Sequence, residues 1–173
     1  MKTPSLLIGA LLIGALIALV TAADAGAQVP PGEQPVKPYV QSDANAAAEP
    51  FAGDHMFKAL HGLAGIDRIV TRMMDENRND PRTADIFRAA DFVRLHRTLV
   101  EQFCYLTGGP CHYSGMGMKE AHEHMGVQAK DFDALVEHLE HAMDKEGVPF
   151  RDQAKLLAKF APMKRIIVDQ DRN

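Results

Sequence analysis

"TGGPCHYSGMGMKEAHEHMG", residues 107–126, decides how this chain is read. Five glycines and a proline interrupt the stretch. A cysteine, a tyrosine, three methionines and three histidines stand among them. The sequence on either side has helical periodicity. Upstream, Phe92, Leu95, Leu99, Phe103 and Leu106 line one face of a helix that begins near Asp91 and must stop at Gly108-Gly109-Pro110. Downstream, Phe132, Leu135, Val136, Leu139 and Met143 form another apolar stripe, ended by Gly147 and Pro149. Between the two, a short helix around Met118–Met125 carries His122. The chain gives up regular structure and then presents one histidine.

The rest of the chain from Phe51 onward is also helical by pattern. A short helix is expected from Asp54 to Gly62. Ile66, Ile69, Val70, Met73 and Met74 recur at helical spacing on one face of a second helix. Asp80 as N-cap and Pro81 at the first helical position predict a short third helix starting there. A last helix spans about 150–168, and Pro162 inside it predicts a kink. No alternating strand pattern and no internal repeat occurs in the sequence, so the fold class is all-α.

The N-terminal third has a different character. Lys2 precedes the uncharged run Leu6–Val20, and Ala25-Gly26-Ala27 fits the small-x-small pattern of a signal-peptidase site. Residues 1–27 therefore read as a signal peptide and the protein as periplasmic or otherwise exported. Membrane contact would come only through this segment, if it stays uncleaved. Residues 28–50 hold five of the ten prolines and read as an extended, mobile linker, either a tether or a frayed terminus. Residues 51–173 form the folded domain. The chain has 173 residues and a net charge of -4, so charge gives no argument for a nucleic-acid partner. Nothing in it reads as a nucleophile triad, a phosphate loop or a zinc finger.

Four stretches together carry a resemblance: "LHGLAGI" (60–66), "TGGPCHYSG" (107–115), "MKEAHEHMGV" (118–127) and "FDALVEHLEHAMDKEGVP" (132–149). In order and spacing they resemble a group I truncated haemoglobin from about Phe57 to Val168. The resemblance implies helices packed two-over-two around haem b, with a glycine element in place of most of one helix. It implies that His122 is the axial ligand of the haem iron, and that Phe87 packs on the haem face. It places Met74, Leu95 and Leu99 on the distal side, with Phe103, Met118, Val127 and Phe132 as further haem contacts. The implied function is binding of a diatomic gas, O2, NO or CO. The alternative is a haem redox enzyme or electron-transfer protein, with NO dioxygenase or peroxidase-like activity, which needs a periplasmic electron donor.

Three departures from the family pattern stand out. Met74 occupies the position where a tyrosine commonly donates a hydrogen bond to the ligand. Leu95 and Leu99 stand where glutamine is frequent, and His96 is turned about 100° away from Leu95. An apolar pocket of this kind should take up carbon monoxide and nitric oxide readily and release oxygen quickly. Met116 replaces an arginine that pairs with a haem propionate, leaving that role to Arg94 or Lys119, or to none. His61 puts a side chain into a corner where the family has glycine. The other seven histidines are expected to be surface or satisfied residues, His138 and His141 among them. Cys104 and Cys111 are seven apart; in an exported domain a bridge over the glycine turn is expected, with two buried free thiols as the alternative. No Cys-x-x-Cys-His is present, so covalent c-type attachment is not indicated.

Overall fold

α2, Gly62–Asn79, is the centre of the molecule, because its apolar face is wide enough to serve two neighbours. Ile66, Ile69, Val70, Met73 and Met74 are buried along it. α6, Ala129–Glu146, packs against α2 on one side and α4, Phe92–Leu106, on the other. In this computed structural model residues 29–168 are described, so the signal-peptide reading of 1–27 and the last five residues lie outside the described part. Around the α2–α4–α6 layer stand α1 (His55–Ala59), α3 (Ala84–Phe87), α5 (Met118–His122), α7 (Phe150–Phe160) and α8 (Lys164–Ile167). Every regular element among the described residues is helical.

Local chemistry sets most of the boundaries. Asp91 caps α4 by accepting hydrogen bonds from the backbone of Val93 and Arg94, both at 3.1 Å. Gln128 and Asp131 form a reciprocal capping box at the start of α6, and Gly147 closes its end at φ 80°. Pro162 interrupts the last helix as expected: α7 gives way to a 3-10 turn, Ala161–Met163, before α8. The third helix does not begin at Pro81. Residues 81–83 form a turn and α3 starts at Ala84, since the Asp80 side chain accepts from Arg82 and the Thr83 hydroxyl donates to the carbonyl of Asn77. α5 is likewise shorter than expected, ending at His122.

The Pro-rich segment is extended, but it is packed rather than loose. It runs along α4, and a 3-10 helix, Asp43–Ala46, lies against that helix. The Glu33 side chain, only 1% exposed, is held between Arg94 and Arg97, 3.3 Å from Arg94 Nε and 2.5 Å from Arg97 Nε. Ala46 is fully buried, and its carbonyl accepts from Gln102 of α4 at 3.1 Å. Proline density excluded helix, but said nothing about the isolated polar side chains that anchor the strap.

Candidate haem site

Residues 107–117 travel from the end of α4 to the start of α5, and tertiary contacts fix their path. The backbone N–H groups of Phe51 and Phe57 donate to the carbonyls of Leu106 and Thr107, which have no partner within α4. Asp43 accepts from the backbone N–H of Tyr113 at 2.7 Å and pairs with His112 at 2.9 Å. Asn45 donates to the carbonyl of Gly115, and Tyr39 to that of Ser114. Glu101 of α4 accepts from both the backbone and the hydroxyl of Ser114. Burial pushes the Tyr113 hydroxyl pKa well up, and the group donates to the carbonyl of Met116 at 3.0 Å. A Cβ at Gly115 would collide with the Tyr113 ring, which explains why tyrosine and glycine stand two apart.

α5 is a single turn, and His122 is its last residue. The His122 Nδ1 lies 2.7 Å from the carbonyl oxygen of Met118, one turn earlier. A carbonyl only accepts, so Nδ1 carries the proton and Nε2 keeps its lone pair. Burial pushes the imidazole below the usual histidine range, against a smaller opposing effect of the Met118 carbonyl. A neutral, oriented imidazole with a free Nε2 is the state in which histidine ligates a metal. Among the described residues no group of three or more His, Cys, Asp or Glu is arranged to hold a metal ion. A single histidine of this kind suits an iron that brings its own remaining ligands, as in haem.

The other residues expected at the site divide into two sets. Met74, Phe103 and Met118 belong to one buried cluster, with Leu95 and Leu99 packed against it. The two leucines are only half-buried although they lie on the apolar face of α4, as suits side chains facing a pocket. Phe87 on α3, Val127 and Phe132 lie outside that cluster. A cleft of about 530 Å³ separates the turn at Pro81–Ile86 from the segment at Met125–Asp131, so its walls include the chain neighbours of Phe87 and Val127.

The polar groups expected near the pocket are engaged elsewhere. His96 faces α2, with Nε2 3.1 Å from the Thr71 hydroxyl and 3.4 Å from Asp67. Arg94 pairs with Glu33 and donates to the carbonyl of Gln34 in the strap. Thr98 donates back to the carbonyls of Arg94 and Leu95. His61 adopts φ 60° at the corner before α2 and pairs with Glu146 at 3.1 Å, so the corner accommodates the side chain. His138 is not a surface residue: it is 8% exposed and bridges α6 to Asp80 at 3.0 Å. His141 is exposed and pairs with Glu76. The sulfurs of Cys104 and Cys111 lie at disulfide distance, with Cα atoms 5.8 Å apart.

A short helix carrying an oriented histidine, set beside a two-layer helical sandwich, defines a small globin. The bacterial-like globin family matches residues 55–169, and the chain belongs to that family. It is similar to the Group 1 truncated hemoglobin of a Nostoc species, with 27% identity over 115 residues, 66% of this chain and 98% of the relative. Two solved structures share the fold. One is the truncated hemoglobin of Tetrahymena pyriformis in its Fe(III) form, with a TM-score of 0.63 at 23% identity, covering 66% of this chain and 98% of that one. The other is the 2/2 hemoglobin of a Synechococcus species in the cyanomet state with covalently attached heme, with a TM-score of 0.61 at 20% identity, covering 65% and 97%.

Proposed function

We propose that this protein binds haem b through His122 and uses the iron to bind a diatomic gas. The observation that carries the reading is the hydrogen bond from His122 Nδ1 to the Met118 carbonyl, which leaves Nε2 free in a desolvated site. Haem bound there would supply an iron able to take a small ligand. The chain supplies the rest. α5 orients the imidazole, and α4 offers Leu95 and Leu99 as an apolar wall. Met74, 6% exposed on α2, would add to that wall, with Phe87 against the haem face and Val127 and Phe132 as further contacts. Of the donors on α4, Arg94, Arg97, His96, Thr98 and Gln102 have other partners, and Tyr105 lines a separate cavity with Phe51 and Cys111. A ligand that gains negative charge on binding is therefore held less firmly than a neutral one. In the oxidised protein Cys104 and Cys111 form a disulfide that ties α4 to the loop leading to His122.

The test is His122→Gly. Haem affinity should fall sharply, and the ferrous spectrum should lose its histidine-ligated form and regain it with added imidazole. Unchanged bands and stoichiometry would show that another residue holds the iron.

A further inference from the structure

The two sulfurs of the Cys104–Cys111 pair are unequally placed. Cys104 is fully buried in the last turn of α4. Cys111 is half exposed and lines an open cavity of about 520 Å³. The walls of that cavity are Phe51, Tyr105 and Pro50 on the apolar side, with Asp43, Asp54 and His112 as polar groups. The volume falls in the range of small-molecule sites, and the space is broadly open to solvent. The loop beneath cannot back away from the pair. A Cβ on Gly109 would lie 2.7 Å from the Cys104 sulfur and 2.6 Å from the Phe57 ring. The backbone N–H of Gly109 also donates to the carbonyl of Cys104 at 2.8 Å. Cys111 is therefore the more accessible of the two sulfurs.

We propose that Cys111 is a thiol–disulfide exchange site and that the cavity beside it receives a cysteinyl peptide of about tripeptide size. The incoming thiolate forms a bond to Cys111 Sγ. The Cys104–Cys111 bond breaks, and its electron pair leaves on Cys104 Sγ, which takes a proton from solvent. A second thiol then attacks the peptide sulfur of the mixed disulfide and releases Cys111 as a thiol. Two protein thiols are formed and two external thiols are oxidised to one disulfide. The exchange removes the covalent tie between the glycine loop and α4 and leaves the Ser114–Glu101 hydrogen bonds to hold it. Its effect on the iron rests on the haem reading given above, whereas the exchange itself does not.

The experiment begins with thiol titration of the denatured, unreduced protein, and two free thiols would overturn the proposal at once. Intact native protein is then exposed briefly to limiting reduced glutathione, quenched in acid, alkylated and mapped by mass spectrometry. Glutathione is expected on Cys111 and the alkyl group on Cys104; glutathione on Cys104 would overturn the assignment. The rate, corrected for thiolate fraction and intrinsic nucleophilicity, should be several-fold higher for glutathione than for 2-mercaptoethanol. Equal rates would mean that the cavity recognises nothing. Complete reduction should raise the unfolding constant roughly fifty-fold, from the loop-closure entropy of a bridge this short. It should also speed haem transfer to an acceptor protein several-fold. If the unfolding constant rises and haem transfer does not, the exchange stands and only its coupling to the haem fails.

Discussion

α4 and the segment that follows it, residues 107–128, are joined end to end but are held in different ways. α4 has a capped start and a continuous apolar face, and it packs on α2. Its order comes from helical hydrogen bonds and burial. The following segment has one helical turn, and its peptide groups are satisfied by side chains far away in sequence. Asp43 reaches Tyr113 and His112, Asn45 reaches Gly115, and Tyr39 reaches Ser114, at separations of about 70 residues or more. The apolar face of α4 is thus built by periodicity, and the support of the segment leading to His122 by a strap. A helix can be altered at one exposed position with little effect. A strapped loop depends on a few contacts, each of which matters.

The largest expected effect comes from cutting the strap. Glu33→Ala removes the carboxylate that Arg94 and Arg97 share, leaving two guanidinium groups partly buried without their partner. The arginine side chains keep 17% and 30% exposure, so the cost should be about 2 kcal/mol rather than the larger penalty of a fully buried pair. Chemical denaturation measures it. Hydrogen exchange should show residues 107–117 loosening more than 92–106; equal loosening of both would mean that the loop does not depend on the strap.

A smaller effect is expected on the distal wall. Met74→Tyr would place a hydroxyl where this chain has a thioether. Oxygen release should slow about tenfold, as a new hydrogen bond of about 1.4 kcal/mol requires. An unaltered release rate with an intact spectrum would show that position 74 does not face the ligand.

The smallest effect tests a contact remote from both regions. Arg68, and to a lesser degree His61, hold the Glu146 carboxyl pKa down at about 2. A depressed carboxylate contributes stability above its unfolded pKa of about 4.5, and that contribution is lost as pH falls through the folded value of about 2. Glu146→Gln should therefore flatten the acid limb of a stability–pH curve in that window while leaving exchange in 107–117 unchanged. A loosened loop in this variant would mean that the loop is sensitive to any loss of stability, and the contrast between the two regions would fail.

The amino-acid sequence by itself determined the helical class, the faces of α2, α4 and α6, and the interruption at Gly108–Pro110, because periodicity, caps and proline act over a few residues. The motif spacing also singled out His122 through its family resemblance, and the carbonyl that orients it lies only four residues earlier in the same turn. Tertiary structure alone decided that residues 29–50 pack as a strap, that Arg94 faces Glu33, that His138 is buried against Asp80, and that α3 starts late. The first three depend on pairing polar groups across a large sequence separation, whereas the late start of α3 comes from local bonds around Asp80 and Thr83. Such a pairing leaves no period in the sequence; it arises only when burial of the apolar faces has brought the partners within hydrogen-bonding distance.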